Sequence, residues 1–136
     1  MSKKISVVMP LFNKEKYVLS ALRSISDNFF SRLEVIIVDD CSTDGSFSLV
    51  ERFIANYDGL ISFILVKNVA NKGPLFSRLR GVSLANGDYI AFLDADDTWH
   101  LDYVSCVSEV LESIDADLVA VAFYSQRLSK QIFNQT

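Results

Sequence analysis

The chain has 136 residues, half of them hydrophobic, with 13 basic and 17 acidic side chains and a formal net charge of −4. That length and apolar content suit one domain with a packed core, and the scattered Lys and Arg exclude a nucleic-acid-binding surface, which needs them clustered. Apolar runs fall short of the ~20 residues that span a bilayer, Met-Ser-Lys-Lys at the start is no secretion signal, and Cys41 and Cys106 lie too far apart for a Cys-x-x-Cys site, so a cytoplasmic protein with reduced thiols is expected.

Ile5 to Met9 is a β-rich run that Pro10, lacking an N–H for a ladder, is expected to close. Asn13 reads as the N-cap of a helix whose inner stripe is Tyr17, Val18, Ala21, Leu22 and Ile25. Leu33 to Val38 is a second strand, followed directly by Asp39 and Asp40. Ser42 to Gly45 make a turn with capping residues, and Leu49, Val50, Phe53, Ile54 and Tyr57 form the stripe of a second helix that Asp58-Gly59 breaks. Leu60 to Val66 reads as a third strand, and Pro74 suits the first turn of a third helix carrying Leu75, Leu79, Val82 and Leu84. Tyr89 to Leu93 is an unbroken apolar run of the kind buried on both faces of a sheet, and Asp94, Asp96 and Asp97 follow at once. Leu101, Val104, Val107, Leu111 and Ile114 predict a fourth helix, Asp117 to Phe123 a fifth strand, and residues 125–136 are a polar tail without assignment. Regular alternation of strand and helix predicts an α/β domain over residues 1–124, with a mainly parallel sheet flanked by helices.

Ligands of such sheets bind outside the carboxyl ends of the strands, where the strand order reverses. Pro10 to Asn13, Asp39 with Asp40, and Asp94 to Asp97 all sit at such ends, so one crevice could hold all three groups. If strand geometry persists, Asp94 and Asp96 leave one side and Asp97 the other. Two converging carboxylates suit Mg²⁺ or Mn²⁺, which keep positions open for water and phosphate. Gly and Glu are missing at the sixth and twelfth places of a calcium loop starting at Asp94, and neither a dinucleotide fingerprint nor a P-loop follows the first strand. Phosphate is therefore expected to be held by a metal on Asp96 with help from Lys72, Arg78 or Arg80, although each of those alone fits a solvated helix face. Asp39 is a fit acceptor for a nucleobase N–H or ribose hydroxyl, and Phe12 can stack on a base, although each alone is commonly a turn acid or a core aromatic.

With those residues in place the chain resembles the family 2 glycosyltransferases, nucleotide-sugar-dependent enzymes of the GT-A fold. Ile5 to Asn13 looks like the family's opening strand and Pro-x-Tyr-Asn turn, and Val35 to Gly45 its Val-Asp-Asp-x-Ser-x-Asp-Gly motif. Asn71-Lys72-Gly73 with Ser77-Arg78 resembles its Asn-x-Gly and Ala-Arg pair, and Leu93 to Trp99 its metal-binding Asp-x-Asp segment. The resemblance implies that Pro10, Phe12, Asn13 and Glu15 line the nucleotide pocket, that Asp39 bonds the base, and that Gly73 and Arg78 lie near base or diphosphate. It also implies that Asp94 faces ribose or donor sugar and that Asp96, with Asp94, holds Mn²⁺ or Mg²⁺. An inverting transfer from a nucleotide-diphospho-sugar to a saccharide or lipid-linked acceptor is implied, in the cytoplasm, at the inner face of the membrane in a full-length form.

Phe12 stands where the family has Tyr, Cys41 where it has a small residue, Leu79 where Asn is common, and Leu101 where Pro is frequent. About 40 residues follow Asp97, and Glu109, Glu112, Asp115 and Asp117 fit solvated or capping roles on the last helix and its exit. The catalytic base is therefore expected beyond residue 136, the chain being the donor-binding half, with weak donor binding, little transfer, and a free sheet edge that invites a homodimer. Three alternatives remain open: a response-regulator receiver, suggested by Asp39-Asp40; a phosphoaspartate phosphatase, suggested by Asp94-Ala95-Asp96-Asp97-Thr98; and a non-catalytic sugar-nucleotide-binding module.

Overall fold

The computed structural model describes residues 3–28 and 32–119. Its elements alternate without exception: β1 (Ile5–Leu11), α1 (Val18–Ser26), β2 (Leu33–Asp39), α2 (Ser46–Asn56), β3 (Ser62–Lys67), α3 (Pro74–Leu84), β4 (Tyr89–Phe92) and α4 (Tyr103–Ser113). The four strands form one parallel sheet in the order β3-β2-β1-β4. This is the 3-2-1-4 order of the doubly wound nucleotide-binding fold; a receiver follows 2-1-3-4-5, so that alternative is overturned.

Leu11, Asp39 and Lys67 stand in register across β1, β2 and β3, which levels the carboxyl ends of the three strands. The chain runs from β1 outward to β3 and then returns to the far side of β1, so the strand order reverses between β1 and β4. On one sheet face Val7, Met9, Leu11, Val35 and Ile37 pack with Leu22 of α1, Val50 of α2 and Val104 of α4. On the other, Val8, Ile36 and Val38 pack under α3. Full burial of each such side chain contributes roughly 1.5–3 kcal/mol, which makes the central pair β1 and β2 the anchor of the molecule.

Several expectations are corrected. Pro10 does not close β1, which runs to Leu11 with Pro10 in register with Val38. Ile5 N–H donates to Arg32 O and Leu11 O accepts from Asp40 N–H toward β2, whereas Val8 O accepts from Leu93 N–H toward β4. By that alternation the missing N–H of Pro10 faces the β4 side, beyond the last β1–β4 pair Val8 and Phe92, and removes no ladder bond. Asn13 does not cap α1, which starts at Val18.

The apolar stripe of α3 does not face the sheet. Its buried residues are Ser77 and Gly81, and a Cβ added at Gly81 would lie 2.4 Å from Val8 Cγ1. Close approach of helix to strand thus selects small residues inside and turns Leu75 (68 % exposed) and Leu79 (62 % exposed) to the surface. Among the described residues β4 is an edge strand rather than one buried on both faces: Ile90 and Phe92 align with Ser6 and Val8 on the α3 side, but α3 lies over β1 and β2 and leaves both exposed. Asp117 to Val119 are not strand, and the rest of the predicted fifth strand and the tail lie outside the described residues.

At the amino ends of the strands, buried Glu34 accepts hydrogen bonds from Ser6 Oγ and Asn86 N–H and pairs with Lys4 Nζ at 3.0 Å. Gly87 N–H donates to Ser6 Oγ at 2.7 Å. This cluster ties the α3–β4 loop to β1 and β2.

Candidate functional site

Two loops at the carboxyl ends of β1 and β2 are bound to each other before any ligand is considered. Asn13 adopts φ 49°, a left-handed conformation that Asn tolerates. Its Oδ1 accepts from Thr43 N–H at 2.8 Å and Asp44 N–H at 3.2 Å, and its own N–H donates to Ser42 Oγ at 3.0 Å. Glu15 Oε2 accepts from Gly45 N–H at 2.8 Å, and Lys14 N–H donates to Ser46 Oγ at 2.8 Å. Asp44 Oδ2 accepts from Glu15 N–H. Burial works to raise the Asp44 carboxyl, but bonds from Ser46 and Glu15 outweigh it and hold it below the usual range.

A second loop set hangs on Asp40. Its carboxylate accepts from Lys72 N–H at 2.7 Å, Gly73 N–H at 2.8 Å and Asn68 Nδ2 at 2.9 Å. Burial opposes the ionised form, yet those three donors prevail and its carboxyl lies below the ordinary value. Gly73 sits at φ 90°, a conformation natural to glycine, and Pro74 then opens α3.

The acids after β4 converge. The strand ends at Phe92, and Asp97 N–H donates to Asp94 O at 3.0 Å in a tight turn. Strand alternation is lost there, so Asp97 does not leave the opposite side as expected: one oxygen each of Asp94, Asp96 and Asp97 lies within 4.8 Å of the others. Arg78 Nη2 meets Asp94 Oδ1 at 2.8 Å and Lys14 Nζ meets Asp96 Oδ2 at 3.1 Å. Burial first, then the charges of Asp96 and Asp94, raises the Asp97 carboxyl, with Lys14 opposing.

One hollow of about 470 Å³ opens at the β1–β4 reversal. Of the residues predicted from sequence, Pro10, Phe12, Gly73, Arg78, Asp94 and Asp96 line it. Asn13 and Glu15 do not; their side chains hold the β2–α2 loop, a supporting rather than a contacting position. Asp39 is also off the lining. It is fully buried, and among the described residues its Oδ1 is the one buried side-chain polar atom without a hydrogen-bond partner, an unmet acceptor facing no protein donor. Arg80 is engaged by Lys67 O and Asn68 Oδ1, and Lys72 contributes its backbone. Cys41, at φ 60°, donates its S–H to Asn68 O. His100 is exposed.

Lys14, Asn71 and Ser77 line the hollow without having been assigned to it from sequence, and of the Asp39 and Asp40 pair expected at the crevice only Asp40 lines it. Asp40 had a readable signal, since neighbouring residues at a strand end point to opposite sides and only one of Asp39 and Asp40 can face the crevice. Lys14 had none; its place follows from the stitched turn. The donor set fits a hard divalent cation: three carboxylates, one of them without a cationic partner among the described residues, beside two cations suited to phosphate.

A family model, that of Glycosyl transferase family 2, matches residues 6–135. The glycosyltransferase GlyA of Streptococcus pneumoniae serotype 4 is 31 % identical over 130 residues, covering 96 % of this chain and 18 % of GlyA. S. aureus TarS 1-349 in complex with UDP-GlcNAc superposes with a TM-score of 0.77 at 25 % identity, over 93 % of this chain and 38 % of that one. The mannosyltransferase PcManGT from Pyrobaculum calidifontis, in complex with GDP-Man and Mn²⁺, gives 0.72 at 26 % identity over 77 % of this chain and 31 % of its own. The chain therefore spans well under half the length of these relatives.

Proposed function

Because the chain belongs to glycosyl transferase family 2, we propose that its hollow binds the nucleoside diphosphate of a sugar donor, as the donor-binding portion of a transferase. The observation that carries this reading is the meeting of the Asp94 and Asp96 carboxylates, Arg78 and Phe12 around one cleft where the strand order reverses, with the Asp97 carboxylate beside the other two. Sugar-nucleotide complexes of TarS and PcManGT support it.

In this reading Asp96 and Asp94 hold Mn²⁺ or Mg²⁺, with Asp97 beside them. Such a cation supplies Lewis-acid neutralisation of the departing diphosphate. Arg78 pairs with phosphate oxygens or keeps Asp94 oriented toward ribose and sugar. Phe12 offers a stacking face, Pro10 shapes the wall, and the Gly73 backbone lets the ligand approach closely. The unmet oxygen of Asp39 would serve as acceptor for a base N–H only where the hollow, whose lining does not include Asp39, opens to reach it. Asn13 and Glu15 act by fixing the loop that carries Lys14. A carboxylate base that deprotonates the acceptor hydroxyl is proposed to lie beyond residue 136, and the acceptor to be a saccharide or lipid-linked saccharide. The cytoplasm suits this work; among the described residues no helix is long and apolar enough to cross a membrane.

Calorimetric titration with UDP-sugars and GDP-sugars, with and without Mn²⁺, tests the reading. Metal-dependent binding to the wild type and its loss in Asp96→Ala are expected. Binding that ignores both metal and Asp96→Ala would refute it, and robust sugar transfer by these 136 residues alone would refute the placement of the base outside them.

A further inference from the structure

The acids that suit a dication are already neutralised from within. Arg78 bridges Asp94 at 2.8 Å and Lys14 bridges Asp96 at 3.1 Å, while Asp97 has no such partner among the described residues. Three carboxylates this close repel one another, and the two bridges offset that repulsion. A dication seated on Asp96 would in turn face the Lys14 ammonium at the distance of one ligand oxygen, a like-charge contact that disfavours both. The two therefore compete for the Asp96 carboxylate, whose Oδ2 Lys14 holds. Lys14 is built to give way: its backbone is pinned, N–H to Ser46 Oγ and O accepting from Tyr17 and Val18, while its charge rides on a flexible four-carbon stem inside the hollow it lines.

Resting on the donor-binding reading above, we propose that Lys14 is a resident counter-cation, displaced from Asp96 by the divalent metal and taken up by the donor diphosphate, so that metal and nucleotide bind as linked events. Metal alone must break the bridge without compensation. With diphosphate present the freed ammonium has a new partner, and by reciprocity each ligand raises the affinity of the other by the same factor. Lys14 is thus a positioning residue for phosphate rather than a metal ligand.

The test follows free Mn²⁺ by electron paramagnetic resonance while the folded chain is titrated, alone and with UDP or GDP, in wild type, Lys14→Gln and Lys14→Arg. Both partners are more than a third exposed, so the bridge is a modest one, and Lys14→Gln is expected to bind Mn²⁺ alone about threefold more tightly. The gain in Mn²⁺ affinity on adding nucleoside diphosphate shrinks in the same variant, and Lys14→Arg keeps wild-type behaviour. Equal or weaker binding of Mn²⁺ alone by Lys14→Gln, or an undiminished nucleotide effect, overturns the counter-cation role while the donor-binding reading stands. A wild type that shows no Mn²⁺-dependent nucleotide binding overturns both.

Discussion

Asp40 shows how a single carboxylate can hold a rim in place. It gathers two backbone N–H groups of the loop before α3 and the Asn68 amide. Asp40→Asn sets an amide against those donors and is expected to cost about 2–3 kcal/mol in urea unfolding. Asp40, Asp44 and Glu34 share one balance, in which burial raises the carboxyl and hydrogen bonds more than offset it. A group held lower in the folded chain than in the unfolded one adds stability above its unfolded value and forfeits it as pH falls through the folded value. Acid unfolding is therefore expected to set in below about pH 4, the ordinary carboxylate range. Asp97 has the opposite sign: its raised carboxyl favours the fold only at low pH and loses that contribution as pH rises. Asp97→Asn is expected to raise Tm at pH 7 and leave it unchanged at pH 3, as thermal unfolding at the two pH values would report. The places of Pro10, Phe12, Asp94 and Asp96 on the hollow were legible from residue type and strand ends, whereas that of Lys14 was not, because its position depends on hydrogen bonds between loops about 30 residues apart.

Among the elements, α3 is the one whose orientation sequence periodicity misread. Its apolar residues recur at helical spacing, yet the helix turns Ser77 and Gly81 to β1 because contact with Val8 leaves no room for a side chain. On an exposed helix Gly→Ala gains about 1 kcal/mol; here Gly81→Ala is expected to destabilise by about 1–3 kcal/mol, as overpacking does, measurable by urea or thermal unfolding. The central strands β1 and β2 were readable as apolar runs because both of their faces are covered. β4 carries a similar run, but among the described residues no helix covers its Ile90 and Phe92 face, and composition alone does not distinguish a covered face from a bare one.

Over the whole molecule, the alternation of strand and helix made the α/β class legible, whereas the strand order was not, since linear alternation is common to several doubly wound orders. Among the described residues the order found leaves β4 at an edge of the sheet, with Ile90 and Phe92 exposed. Such an edge is prone to pairing with another copy. Sedimentation of this polypeptide is expected to depend on concentration, and Phe92→Lys to restore a single monomeric species; a wild type that sediments identically at all concentrations would count against self-pairing.

The stitching of Asn13 and Glu15 to Thr43, Asp44 and Gly45 has a kinetic corollary. The backbone freedom of both loops is spent when the chain folds, so the nucleotide proposed for the hollow would meet walls already set. Its capture is expected to be a single fast phase limited by encounter and orientation, with slower events confined to the swing of side chains around the acids.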